Sequence, residues 1–198
     1  MCGIAGIFGH LKPELSKKGL ESLAAGLAHR GPDGCGRYED DELGLVHTRL
    51  SIIDLSANGN QPLYNEDNSL VLVCNGELYN YKEIRAGLLA RGHKFRSNSD
   101  SEVILHLYEE NRDDPAQLLE LLTGMFAFAL WDSRLNKVFL VRDRYGIKPL
   151  YYTRTENNQL LFGSEIKAIL SYLDDKPVMD YDGLLEYFTF QNFFSDKT

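Results

Sequence analysis

The sequence predicts an α+β fold, and three observations carry that prediction. Apolar runs of strand length, Ile4–Phe8, Leu70–Cys74 and Met125–Trp131, stand beside stretches with helical periodicity such as Leu20, Leu23 and Leu27. The two kinds of segment do not alternate regularly, as they would in a doubly wound parallel sheet. The strand candidates of the second half follow one another closely, which favours antiparallel pairing.

Taken in order, Ile4–Phe8 reads as a buried strand punctuated by Gly3, Gly6 and Gly9, and Ser16–His29 as an amphipathic helix. Arg30-Gly-Pro-Asp-Gly-Cys-Gly36 is rich in turn formers and breaks the pattern. Leu43–Ile53 looks extended and ends at Asp54, with a loop over Leu55–Pro62. Leu70–Cys74 reads as a strand closed by an Asn75-Gly76 turn. Helices follow over Tyr81–Arg91, with Gly92 as its stop, around Val103, Ile104 and Leu107 with Ser101 as cap, and over Ala116–Leu122 behind Pro115. Met125–Trp131, Lys137–Val141, Leu150–Thr153 and Leu160–Phe162 are strand candidates, with a hairpin turn at Asn157-Asn158. Glu165–Tyr172 closes the series as a helix.

Composition narrows the function classes. The 198 residues are 43% hydrophobic and 25% charged, ordinary globular values that suit one core of this size. The formal charge is −8, and the imbalance lies in residues 100–198, with 10 basic and 17 acidic side chains. That argues against nucleic acid or an anionic membrane as partner. No run approaches the ~18–20 apolar residues of a membrane span, and the apolar N-terminus lacks a basic leader, so a cytoplasmic, reducing location is expected. Three scattered cysteines, Cys2, Cys35 and Cys74, suit neither a disulfide framework nor a structural zinc site, and no metal is expected.

Four features carry chemistry. An arbitrary cysteine is most often a small buried hydrophobe. Cys2, however, is small enough for an aminopeptidase to remove Met1 and expose it. The exposed residue would then hold a thiol and a free α-amine, groups that titrate at about 8.5 and 7.7–8.0 in simple peptides, so nucleophile and base would share one residue. Asn75-Gly76 can be a turn, or an amide and a backbone N–H poised for a developing oxyanion. Arg49 can form a surface ion pair, or hold a carboxylate with its planar fork, sharing a strand face with Ser51 and Ile53. Asp100 can cap a helix or receive an ammonium. Ser164-Glu-Ile-Lys167 reads as a helix start rather than an acylation motif, and Gly31-Pro-Asp-Gly-Cys-Gly36 lacks the spacing of a dinucleotide loop. The four features together suit a zwitterionic amino acid with an amide to cleave.

Seven motifs in order then resemble a known family. They are Cys2-Gly-Ile-Ala-Gly-Ile-Phe8, His29-Arg-Gly-Pro-Asp33, Thr48-Arg-Leu-Ser-Ile-Ile-Asp54, Asn75-Gly-Glu-Leu-Tyr-Asn-Tyr81, Ser99-Asp-Ser-Glu102, Gly124-Met-Phe-Ala-Phe-Ala129 and Arg142-Asp-Arg-Tyr-Gly-Ile-Lys-Pro-Leu150. The family is the glutaminase domain of glutamine-hydrolysing asparagine synthetases, a class II glutamine amidotransferase of the N-terminal-nucleophile hydrolase type. The resemblance covers about residues 2–170. It implies a four-layer α-β-β-α sandwich of two antiparallel sheets. It also implies Cys2 as nucleophile, Asn75 and Gly76 as oxyanion hole, and Arg49 on the glutamine α-carboxylate. Asp100 and Glu77 would take the α-ammonium, Leu50, Ser51, Ile52 and Ile53 would line the pocket, and Arg30, Gly31, Pro32 and Asp33 would belong to a loop closing over it. The glutaminase domain would span 2–179 and need no cofactor. Residues 180–198 would begin a linker to a C-terminal synthetase domain using ATP and Mg2+, whose Ser-Gly-Gly signature the chain lacks. Seven of the eleven residues from Leu184 to Phe194 are Leu, Tyr or Phe, so this segment is expected to pack on that domain or another partner. The resemblance allows a homodimer. A glutamine-sensing domain, an amidotransferase with another acceptor and a stand-alone cysteine hydrolase are the rival readings.

Overall fold

In the structure, a computed structural model, residues 1–9, 13–173 and 177–194 are described. Among the described residues, nine strands form two antiparallel sheets. The five-stranded sheet runs β2 (Gly34–Glu39), β3 (Leu43–Arg49), β1 (Gly3–Phe8), β9 (Leu160–Gly163) and β8 (Tyr151–Arg154). The four-stranded sheet runs β4 (Leu63–Tyr64), β5 (Leu70–Leu78), β6 (Gly124–Asp132) and β7 (Lys137–Arg142). Helices α1 (Pro13–Leu27) and α5 (Ile166–Tyr172) cover the first sheet; α2 (Tyr81–Ala90), α3 (Val103–Glu110) and α4 (Pro115–Leu121) cover the second.

Strand alternation sorts the apolar residues into three clusters, one per layer contact. On β5, Leu70, Leu72 and Cys74 face α3 with Phe126, Phe128 and Leu130 of β6, while Val71 and Val73 face the other sheet. On the first sheet, Ala5, Ile7 and Val46 face α1 and α5, while Ile4, Leu43, Leu45 and Phe162 enter the seam between the sheets. The result is the α-β-β-α sandwich that the resemblance implied.

Several sequence expectations change. Asn75-Gly76 is no turn: β5 runs through it, pairing Asn75 with Ala127 and Gly76 with Phe126, because β6 begins early enough to hold both. The extended segment expected to reach Ile53 ends at Arg49, where β3 loses its ladder partners, so Arg49, Ser51 and Ile53 do not share one strand face. Part of the expected Arg30–Gly36 turn segment is strand, since Gly34, Cys35 and Gly36 pair with Arg49, Thr48 and His47. Ser101 caps nothing; Ser99 accepts from Ser101 N and caps a 3-10 turn over Asp100–Glu102 that leads into α3. Pro115 opens α4 as expected, and Asn158 closes the β8–β9 hairpin at φ 60°. The tail contains an unforeseen helix, α6 (Tyr181–Phe190), capped by Asp180. No described helix is long and apolar enough to cross a membrane.

Candidate active site

One cavity lies where the seam between the sheets opens beside the edge of β5, and it gathers Cys2, Arg49, Asn75, Gly76, Glu77 and Asp100. The same alternation that builds the core aims these residues. Arg49 and His47 continue the inward series Leu43–Leu45 on β3, and Asn75 continues Val71–Val73 on β5. Leu50, Ser51, Ile52 and Ile53 also line the cavity, from irregular chain after β3.

Cys2 is held from its backbone side. Arg30 Nε donates to the Cys2 carbonyl at 2.9 Å, and Arg30 Nη1 donates to Glu165 Oε1 at 2.8 Å. Arg30 in turn depresses the Glu165 carboxyl to about 2, with His29 and Lys167 assisting. The Cys2 Sγ lies 3.3 Å from Leu50 N and 3.5 Å from Leu50 O, at the mouth of β3. Met1 occupies the cavity wall, 56% exposed, with Lys148 Nζ 3.4 Å from its Sδ.

Asn75 is 2% exposed, and its Nδ2 has no hydrogen-bond partner. Beside it, Cys74 N donates to Gln61 Oε1 (2.6 Å) and Leu78 N donates to Asp100 Oδ2 (2.7 Å), both on the edge of β5 away from β6. Alternation therefore turns the Gly76 N–H to that same edge, where the short β4 no longer pairs. Two N–H donors, Asn75 Nδ2 and Gly76 N, converge on the cavity. A side chain at Gly76 would put its Cβ 2.5 Å from Met125 O, so only glycine lets β5 and β6 close here.

Arg49 is 8% exposed and braced by acceptors: Ser56 O (3.0 Å), Asn60 Oδ1 (2.7 Å) and the Asp54 carbonyl. These take three of the five guanidinium N–H groups and leave two, on a side chain that lines the cavity. Asp54 receives the Ser56 hydroxyl and amide and Asn98 N, which hold its carboxyl below the usual range. Burial pushes the Asp100 carboxyl up against its bonds from Leu78 N, with Glu77 adding to the rise. Burial also pushes the Cys74 thiol far up, so it offers no competing thiolate.

The segment Arg30–Asp33 lies beside the cavity rather than among its lining residues. Gly31 packs on the Thr48–Arg49 backbone so closely that a Cβ would sit 2.2 Å from Thr48 C. Pro32 bridges Arg49, Asp33 N donates to Arg49 O (2.9 Å), and Asp33 Oδ2 accepts from Ser51 N (2.7 Å). The sequence reading named neither His47, Asp54, Gln61 and Lys148 as lining residues nor Glu165 as the brace behind Arg30. Asp54 and Lys148 stand inside the Thr48–Asp54 and Arg142–Leu150 motifs, and that membership was the one signal the sequence offered for them.

The layering and the position of this cavity define an N-terminal-nucleophile hydrolase fold. A glutamine phosphoribosylpyrophosphate amidotransferase from B. subtilis shares it at TM-score 0.68 and 24% identity, over 86% of this chain and 43% of that one. The family described as glutamine amidotransferase domain matches residues 1–198, and the chain belongs to that family. It is 47% identical over 175 residues to asparagine synthetase [glutamine-hydrolyzing] 2 of Bacillus subtilis (strain 168), covering 87% of this chain and 22% of that protein. To a probable asparagine synthetase [glutamine-hydrolyzing] of Dictyostelium discoideum it is 44% identical over 172 residues, covering 85% and 30%. The chain spans less than a third of the length of these curated relatives.

Proposed function

We propose that the domain hydrolyses L-glutamine to L-glutamate and ammonia through Cys2, once Met1 is removed. The observation that carries this reading is the orphaned Asn75 Nδ2, buried in the cavity that Cys2 lines, with the Gly76 N–H on the same strand edge. A buried donor without a partner costs free energy unless a ligand state uses it.

The Cys2 thiol gives its proton to the freed α-amine, and the thiolate attacks the side-chain carbonyl carbon of glutamine. The carbonyl oxygen, now negative, accepts hydrogen bonds from Asn75 Nδ2 and Gly76 N. The amine returns the proton to the departing nitrogen, ammonia leaves, and a γ-glutamyl thioester remains. Water, deprotonated by the same amine, attacks that thioester; glutamate leaves and the thiol is restored. Arg49 holds the α-carboxylate with its two remaining donors, while Asp100 and Glu77 face the α-ammonium. The domain itself uses neither cofactor nor metal in this reading.

The ammonia would pass to an ATP- and Mg2+-dependent synthetase domain that converts aspartate to asparagine, as the names of the relatives suggest. In this arrangement residues 2–179 form the glutaminase domain and 180–198 begin the connection. The exposed Tyr181, Leu185, Phe188 and Phe190 of α6 support that docking role. A cytoplasmic location and a homodimer fit the same reading. The test is glutamate release by chain lacking Met1, verified by intact mass. Cys2→Ala and the form retaining Met1 should both be inactive, and full activity in either would overturn the mechanism.

A further inference from the structure

On the face of the second sheet's helix layer, away from the cavity, four side chains from three segments converge. Glu66 comes from the β4–β5 connection, His93 from the chain after α2, and His106 and Glu109 from α3. One heteroatom from each lies within 4.8 Å of all the others. Glu109 Oε2 is 3.2 Å from His106 Nδ1 and 3.4 Å from His93 Nδ1, and Glu66 Oε2 is 3.7 Å from His106 Nδ1. Tetrahedral ligands at about 2.0–2.1 Å from a zinc ion are separated by roughly 3.3–3.4 Å, so these three pairs are near that spacing and the others, within 4.8 Å, need to close by at most roughly 1.5 Å.

We propose that Glu66, His93, His106 and Glu109 form a zinc-type divalent metal site. The outer contacts are those a metal site needs, because the second atom of three of the four ligands is already oriented. His93 Nε2 faces Glu110 Oε1 at 3.2 Å, and Glu110 is itself fixed by Arg91. Glu109 Oε1 accepts from Asn65 Nδ2 at 2.8 Å, and Glu66 Oε1 from Lys94 N at 3.0 Å. His106 is wholly buried; its Nε2 has no hydrogen-bond partner and stands 3.8 Å from Glu102 Oε1. As metal ligands the two imidazoles would be neutral, and with the two carboxylates they would sum to −2, which one divalent cation neutralises. His93 and Glu66 lie toward solvent, giving the ion a way in. No thiol is near, and the ligands are nitrogen and oxygen throughout, which suits zinc or cobalt better than soft monovalent ions.

The ion would join three chain segments. One of them is α3, whose leading turn carries Asp100 into the active-site cavity. Its role would be structural, since all four positions belong to protein ligands.

The test uses the full chain carrying Cys2→Ala and Cys35→Ser, washed with chelator, titrated with Zn2+ by calorimetry and with Co2+ by visible absorption. One equivalent per chain is expected, with a tetrahedral cobalt spectrum free of thiolate charge transfer and a higher unfolding midpoint in Zn2+. His93→Ala and Glu66→Gln should each weaken binding at least tenfold, and Glu110→Gln should weaken it ~10–100-fold as an outer-contact change. Unfolding midpoints in chelator, equal to that of the parent, show that these exposed-side variants fold. Absence of binding, binding unchanged in both His93→Ala and Glu66→Gln, or a protonated His–Glu cluster whose stability ignores Zn2+ would overturn the proposal.

Discussion

Asn75→Ala separates catalytic from structural roles more sharply than any other single change. The side chain is 2% exposed and its Nδ2 makes no hydrogen bond, so the resting protein loses no Nδ2 hydrogen bond when the amide is removed. Unfolding stability should therefore change by less than about 1 kcal/mol, the modest cost of trimming a polar side chain at the seam's open end. Transition-state stabilisation should fall far more. Losing one oxyanion donor from a preorganised site costs about 2.7–4 kcal/mol, or roughly 100–1,000-fold in kcat. The remaining Gly76 N–H keeps activity above that of Cys2→Ala. The assay is glutamate release under saturating glutamine, paired with urea unfolding of the same sample. A kcat loss under tenfold, or a loss matched by an equal fall in stability, would refute the placing of the oxyanion at Asn75.

Other perturbations have equally definite outcomes. Gly76→Ala drives a Cβ to 2.5 Å from Met125 O and 2.6 Å from Phe126 Cα, and should destabilise the fold by ~1–3 kcal/mol in denaturant unfolding besides reducing activity. Arg49→Lys keeps the charge but cannot brace Ser56, Asn60 and Asp54 while gripping a carboxylate; the glutamine KM should rise at least tenfold with kcat much less affected. Burial, opposed in part by the Cys74 backbone, pushes the 1%-exposed His47 imidazole to about 4 from an unfolded value of 6.5. Between those values the unfolded chain binds the extra proton, so stability is full above pH ~6.5 and declines toward pH ~4, by at most about 3 kcal/mol. Urea midpoints of His47→Gln should lack that slope. Deleting 180–198 should leave glutaminase kcat and the unfolding midpoint nearly unchanged, because α6 buries only Gly183.

The parts of the site written as ordered motifs were legible before any coordinates. Cys2, Arg49, Asn75, Gly76 and Asp100 do meet in one cavity. Cys2, Arg49 and Asn75 continue inward faces that a period of two reveals, whereas Gly76 contributes its backbone N–H and Asp100 comes from a 3-10 turn. What escaped the sequence depends on pairing partners. Asn75-Gly76 carries the local signature of a tight turn, and only the register against Ala127 and Phe126 keeps it extended. β2, with its glycines and charged residues, has no apolar run to mark it, and β4 is too short to show a period. Glu165 and Lys148 reach their positions through contacts 135 and 147 residues apart in sequence, which no local pattern encodes. The Asp100–Glu102 turn was legible as a helix start, yet its cap, Ser99, lies two residues from the expected Ser101.

The shared alternation of β3 and β5 ties chemistry to chain length. Val73 and Asn75 are neighbours on one strand face, as are Leu45 and His47 and Arg49. A one-residue insertion early in either strand would swing the cavity-facing residues of that strand, His47 and Arg49 on β3 or Asn75 on β5, toward the helices and bring hydrophobes into the cavity, without altering a single side chain. A two-residue change would keep the aim but slide it about 6.6–6.8 Å along the seam. The domain can therefore absorb changes of length in the connections between strands, while the strands that carry His47, Arg49 and Asn75 must keep their count.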